Sequence, residues 1–319
     1  MENKKLSVVV TGASGLLGRQ VYEEFKIKGH KGTAHNRVSG DLVKLNLVSR
    51  IEVERFFNFQ VDVLIHCAAE RRPDEVHKNP ENSKLLNEKV PGVLAKICKE
   101  KGIFFIYIST DYVFDGKSPP YEANSVPNPI NEYGVSKLNG EKAVVDSGII
   151  DYVILRVPIL YGRIEFLSES SVDSLLKAVL LARDRFKEPS TFKKFGADVF
   201  QVRYPTNVAD VSRVVCEISE KRIQNQKEFR GIAQFSAKGK MTKYDMCKLF
   251  AQCLNVNGDD LFFPESPAPG QNAVDRPENV QLSTKVLEGW GIEISYIDFN
   301  SWWSKNIQNN TYILKSSDN

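Results

Sequence analysis

The chain has 319 residues, 42% of them hydrophobic, and 43 Lys and Arg against 40 Asp and Glu give it a formal charge of +3. This much apolar sequence supports a large buried core and excludes a wholly disordered chain, while the scattering of the basic residues excludes nucleic acid as the expected partner. No apolar run approaches the roughly 18 residues that cross a bilayer, so no membrane partner is expected, and the run after Glu2-Asn3-Lys4-Lys5 is too short for a signal peptide.

Leu6-Ser7-Val8-Val9-Val10 reads as a strand that runs directly into Thr11-Gly12-Ala13-Ser14-Gly15-Leu16-Leu17-Gly18, three glycines at three-residue spacing opening a helix. Gly12 permits a tight turn, Gly15 lets the backbone approach a pyrophosphate, and Gly18 lets the helix pack close to its strand. Unpaired N–H groups at the helix start would face the phosphates, so a dinucleotide is expected here. A glycine-rich turn without a ligand is the alternative. Ala34-His35-Asn36-Arg37 stands where the second strand should end. It lacks the acid that would bind a free 2′-hydroxyl and offers a guanidinium for a 2′-phosphate, which favours NADP over NAD unless Arg37 is an ordinary exposed arginine.

Val61-Asp62-Val63-Leu64-Ile65 is the next strand, followed by His66, read as a core histidine rather than a catalyst. Cys67-Ala68-Ala69 supplies small side chains suited to a strand passing near a cofactor or to plain packing, and Arg71 and Arg72 are either phosphate contacts or a solvated pair. A helix near Val90 to Lys101 leads to a strand from Ile103 to Ile108, and Ile106-Tyr107-Ile108-Ser109-Thr110-Asp111 ends that apolar strand in hydroxyl and carboxylate groups. Ligands of open parallel sheets bind at such carboxyl ends. Tyr133 and Lys137 then lie four residues apart on one helix face, covering roughly Tyr133 to Asp146. The cation is expected to lower the phenol pKa and make Tyr133 a general acid or base, with Thr110 orienting a substrate oxygen.

Tyr152-Val153-Ile154-Leu155-Arg156-Val157 adds another strand, and the alternation of strands and helices implies parallel strands joined by crossover helices. The expected architecture is α/β: a Rossmann-type doubly wound parallel sheet over residues 1–162 with a smaller C-terminal α/β substrate lobe over 163–319, interleaved with the first domain near 203–235. Beyond Tyr161 a helical segment near Val172 to Arg183 leads into polar sequence up to Phe195. Thr242-Lys243-Tyr244-Asp245 has capping-box spacing, and Met246, Leu249, Phe250, Cys253 and Leu254 recur as one apolar helix face. Pro264, Pro267, Pro269 and Gly270 mark a loop before Leu282 to Trp290, and the tail after Trp303 reads as loosely held. Five cysteines without metal-ligand spacing predict reduced thiols in a cytoplasmic protein and no metal.

Taken together, these motifs resemble the extended short-chain dehydrogenase/reductase family. Ser109-Thr110-Asp111-Tyr112-Val113-Phe114-Asp115-Gly116, the run from Tyr133 to Lys142, and Arg276-Pro277-Glu278-Asn279 resemble its dTDP-4-dehydrorhamnose reductase branch. The segment from His66 to Pro73, the segment from Arg156 to Gly162, and Met241-Thr242-Lys243-Tyr244 are similar to the regulatory β-subunit family of methionine adenosyltransferase. The resemblance implies cofactor contacts at Ser14, Gly15, Leu16, Leu17, Asn36, Arg37, Asn46, Leu47, Cys67, Arg71, Tyr133, Lys137 and Leu160, beside Gly12 and Gly18 from the glycine turn. It implies NADP (NADPH) as cofactor, a methionine adenosyltransferase catalytic subunit as partner, and, should Thr110, Tyr133 and Lys137 be catalytic, a sugar-nucleotide substrate. Reductases of the rhamnose branch carry a tryptophan where this chain has Ile159, and Asn309 to Asn319 differ from the β-subunit tail that reaches into the catalytic subunit. Three functions follow in order: a regulatory subunit that modulates S-adenosylmethionine synthesis, an NADPH-dependent sugar-nucleotide reductase, and a nucleotide-sensing scaffold. The sequence leaves open whether the retained catalytic set turns over a substrate.

Overall fold

The computed structural model describes residues 5–35, 42–186, 192–223, 229–266 and 274–314. In chain order the first half runs β1 (Ser7–Thr11), α1 (Leu16–Ile27), β2 (Lys31–His35), β3 (Leu42–Val43), α2 (Arg50–Phe56), β4 (Val63–His66), α3 (Pro73–Lys78), α4 (Pro80–Lys84), α5 (Val90–Lys101), β5 (Phe104–Thr110), α6 (Glu132–Asp146), β6 (Tyr152–Val157) and β7 (Leu160–Tyr161). It continues with α7 (Ser171–Arg185), β8 (Phe195–Asp198), β9 (Thr206–Asn207), α8 (Val208–Ile223), β10 (Gly231–Gln234), α9 (Lys243–Cys253), β11 (Phe262–Glu265), α10 (Lys285–Gly289) and α11 (Phe299–Gln308).

Seven strands form one parallel sheet in the order β10-β6-β5-β4-β1-β2-β3. The expected doubly wound α/β class is therefore present. From β1 the chain builds outward through β2 and β3, then returns to β4 on the other side, so Thr11 pairs with His35 on one flank and His66 on the other. Such a reversal opens a crevice beyond the carboxyl ends of the strands.

Alternation along the strands splits the core. Val8, Val10, Val63, Ile65, Ile106 and Leu155 face α1 and α8, whereas Val9, Leu64, Phe105 and Ile154 face α2, α5 and α6. Side chains of a strand alternate between faces, and a parallel sheet covered on both sides needs apolar residues at every position. A separate core gathers Tyr161, Leu176, Phe250, Phe299 and Trp303 from β7, α7, α9 and α11. After the first elements of this lobe, α8 returns to pack on α1 and β10 adds to the main sheet beside β6.

Several boundaries differ from expectation. The strand expected over Ile103 to Ile108 runs from Phe104 to Thr110. A π-helical segment, Leu85–Lys89, precedes α5. From Trp303 to Leu314 the tail is fixed, not loose: that indole is fully buried, α11 continues to Gln308, and Tyr312 and Leu314 bond to Ile164, while Lys315 to Asn319 lie outside the described residues. Trp303 and Ile307 lie one turn apart on the buried face of α11, and tertiary packing of that face overrides the polar local composition.

Candidate functional site

The glycine turn links β1 to α1 at the reversal point. Gly12 sits at φ +71°, and a Cβ there would lie 2.6 Å from the Ala68 nitrogen, so the turn and its closeness to the end of β4 both exclude a side chain. At Gly18 a Cβ would collide with the Gly12 carbonyl. Gly15 is different. It is exposed, a Cβ would meet only the Gly12 oxygen at 3.4 Å, and it begins α1 without a side-chain cap or an acid in the first turn. An uncapped helix start beside an open backbone suits a phosphate.

Around this turn, Leu16, Leu17, Cys67 and Leu160 join one apolar cluster, and Ser14 is half-buried. Burial pushes the Cys67 thiol up to about 12, so it is a neutral packing group. Asn46 is exposed and its side chain accepts from the Val48 N–H, while Leu47 packs on the opposite core. Asn36 and Arg37 lie outside the described residues.

Beyond β4, exposed Arg71 donates to the Glu169 carbonyl, and its charge reaches Tyr133. His66 is buried as expected but only half satisfied: Nδ1 lies 2.6 Å from Thr11 Oγ1, and Nε2 has no partner among the described residues. Burial and the nearby Lys137 charge lower its pKa to about 3, so the ring is neutral.

On the other wall, Thr110 ends β5 and Asn131 starts α6 by accepting the Gly134 N–H at 2.9 Å. This cap orients the first turns of α6, where Tyr133 and Lys137 project. Tyr133 lies edge-on to Tyr112 with ring centroids 5.8 Å apart. The phenol pKa is raised, not lowered as expected from the nearby cation. Burial raises the Tyr133 pKa, opposed chiefly by a hydrogen bond with Thr110. Lys137 is itself buried, which lowers its pKa to about 7, and its ammonium donates to the Ile108 carbonyl at 2.8 Å. Four-residue spacing along a helix places both groups on one face, but the Lys137 ammonium turns to the Ile108 carbonyl and desolvation decides the direction of each shift.

Thr110 donates to Asp111 Oδ1 at 3.1 Å, and burial raises that carboxyl to about 7 against the lowering effect of Arg203. Beneath, Ser109 donates to Glu141 at 2.5 Å, and Arg156 meets the same carboxylate through two bonds of 2.9 and 2.7 Å. Asn87, in the π-helical segment, exchanges bonds with the Glu70 backbone and donates to Ser136 on α6. Arg19, Asn87, Glu169 and Arg203 were not singled out from the sequence. The Ser170 and Asp173 capping-box spacing was the one local sign that Glu169 precedes a helix.

Ile159, in place of the branch's tryptophan, packs half-buried against the second-lobe core. One side-chain group among the described residues has metal-ligand composition, His30, Cys216 and Glu220. Its wiring opposes coordination: His30 Nδ1 accepts from the Leu6 N–H, leaving the ring proton on Nε2 facing Glu220. A metal at Nε2 would require an imidazolate. No helix among the described residues is long and apolar enough to cross a membrane.

Residues 6–298 match the family described as RmlD substrate binding domain. Over 297 residues the chain is 41% identical to the methionine adenosyltransferase 2 subunit beta of Danio rerio, covering 92% of this chain and 88% of that one. The structure of a dTDP-4-dehydrorhamnose reductase from Clostridium acetobutylicum is similar at TM-score 0.76 and 25% identity, over 95% of this chain and 98% of that chain. The Bacillus anthracis dTDP-4-dehydrorhamnose reductase in complex with NADP gives TM-score 0.76 at 24% identity, over 97% and 98%, and shares the fold.

Proposed function

The chain belongs to the RmlD substrate-binding-domain family, and from that premise we propose that it is a nicotinamide-dinucleotide-binding, short-chain-reductase-like regulatory subunit of methionine adenosyltransferase that modulates S-adenosylmethionine synthesis. The observation that carries this reading is 41% identity to a β subunit across nearly the whole of both chains. Residues 1–162 hold the dinucleotide, and 163–319, interleaved near 203–235, form the second lobe. Gly12, Ser14, Gly15, Leu16, Leu17 and Gly18 receive the pyrophosphate at the uncapped start of α1. Asn46, Leu47, Cys67, Arg71 and Leu160 border the dinucleotide, and Tyr133 and Lys137 reach its ribose and nicotinamide end. Asn36 and Arg37 make NADP the preferred form. A cytoplasmic location suits the five free cysteines.

Mixing the purified chain with a methionine adenosyltransferase catalytic subunit and following S-adenosylmethionine synthesis tests the reading. A stable complex with altered KM or kcat is expected. No complex and unchanged kinetics contradict it.

The placement of Thr110, Tyr133 and Lys137 around one strand end favours a second reading, an NADPH-dependent reductase of a 4-keto sugar nucleotide. Reduced nicotinamide, when bound, supplies hydride to the carbonyl carbon. Tyr133 then gives its phenolic proton to the oxygen, which Thr110 orients. Burial raises the phenol's pKa, keeping Tyr133 protonated at neutral pH and able to act as the acid.

A further inference from the structure

A strap over residues 163–170 is fastened to α1 through Arg19 and to the loop after β4 through Arg71, the two elements that flank the glycine turn. Arg19, one turn into α1, donates to the Ser14 carbonyl at 3.1 Å and to both Glu169 carboxylate oxygens at 3.0 Å. Arg71, from the loop after β4, reaches the Glu169 carbonyl from the opposite side. Glu169 also accepts the Glu165 N–H at 2.8 Å, so this one buried carboxylate shapes the strap. Ser168 is held at φ +79°, a conformation costly for a residue with a side chain, with its N–H bonded to Asp173. At its base the strap carries the C-terminal segment. The Ile164 N–H donates to the Tyr312 carbonyl at 2.9 Å and the Leu314 N–H to the Ile164 carbonyl at 2.7 Å, while Ile164 itself is 1% exposed in the main core.

We propose that the docked segment Tyr312–Leu314 holds the strap closed over the dinucleotide site, so that docking of this segment and binding of the dinucleotide reinforce each other. The inference rests on the dinucleotide reading above and adds its regulation. Arg71 has five N–H donors, and its bond to Glu169 leaves others for a phosphate. A phosphate at the start of α1 therefore adds a partner to Arg71 without displacing the strap, and the closed strap in turn fixes the guanidinium for that phosphate. Undocking residues 312–314 frees Ile164, then Glu169, and finally both arginines. Coupling of this kind is reciprocal: whatever affinity the docked segment lends the dinucleotide, the dinucleotide returns as protection of the segment.

The test uses the full chain and NADPH in two measurements. Calorimetry compares wild type with Ile313→Asp, which puts a charge where Ile313 packs on the core, and with Glu169→Gln, which weakens the bonds of Arg19 to the carboxylate and leaves the Arg71 bond to the Glu169 carbonyl. Hydrogen exchange follows the amides of 164 and 314 in wild type with and without NADPH. Dissociation constants raised about tenfold in both variants, with slower exchange at both amides on binding, are expected. A folded variant that binds within twofold of wild type, tighter binding, or unchanged exchange overturns the proposal. Should Ile313→Asp fail to fold, Glu169→Gln and the wild-type exchange still decide it. Wild type that binds no NADPH removes the dinucleotide reading itself, a result distinct from binding that ignores the tail.

Discussion

Lys137 is tied to Ile108: its buried ammonium donates 2.8 Å to that carbonyl and sits 4.1 Å from the centre of the Tyr107 ring. The cation thus gives one of its three N–H groups to the backbone of β5 and lies on an aromatic face, two residues before the strand delivers Thr110. A carbonyl and a ring do not replace the lost hydration, which is why the pKa falls to about 7 from 10.5.

This gives stability a pH signature. Between about pH 7 and 10.5 the unfolded chain binds a proton at Lys137 that the native chain has released, so the contribution to stability rises with pH across that window. Urea unfolding of wild type and Lys137→Met at pH 7 and 9.5 should show wild type gaining relative to the variant, by up to a few kcal/mol.

Asp111 has the opposite slope at lower pH. Its native pKa of about 7 exceeds the model-peptide 3.8, so the native chain binds more protons between those values and stability falls as pH rises through them. Asp111→Asn should abolish that fall in urea melts at pH 4.5 and 7.5. The same titration governs Thr110, whose single proton is given to Asp111 while the carboxylate is ionised.

Two glycine substitutions should separate folding from binding. Gly12→Ala meets both φ +71° and the Ala68 nitrogen, and should lower stability by about 1–3 kcal/mol in denaturant melts. Gly15→Ala meets only ordinary contact, so its melting temperature should stay within a few degrees of wild type while NADPH affinity falls at least tenfold, the added methyl standing where a phosphate approaches.

The Glu141–Arg156 pair lies under the strand end that carries Ser109 and Thr110. Glu141→Ala leaves a guanidinium buried without its carboxylate and should cost about 3–5 kcal/mol by denaturant unfolding. Glu141→Gln, which keeps an acceptor for Ser109, should cost less.

Periodic features were legible in the sequence. Val8 to Val10, Val63 to Ile65 and Val153 to Leu155 are apolar at every position because both sheet faces are covered, and the capping box at Thr242 and Asp245 forms as its spacing implies. Burial and long-range pairing were not. The four-residue spacing of Tyr133 and Lys137 carries no record of how deeply each is desolvated, so it gave the wrong sign for the phenol. Arg19 and Glu169 stand 150 residues apart and meet only after the sheet is assembled. Likewise, the tail's polar composition concealed the fixing of residues 312–314 by Ile164.

Isothermal titration of the full chain with NADPH, and separately with NADH, tests the central claim most directly. The account predicts one saturable site with NADPH bound more tightly than NADH. Absence of heat with both, together with no rise in melting temperature at saturating concentration, would contradict it.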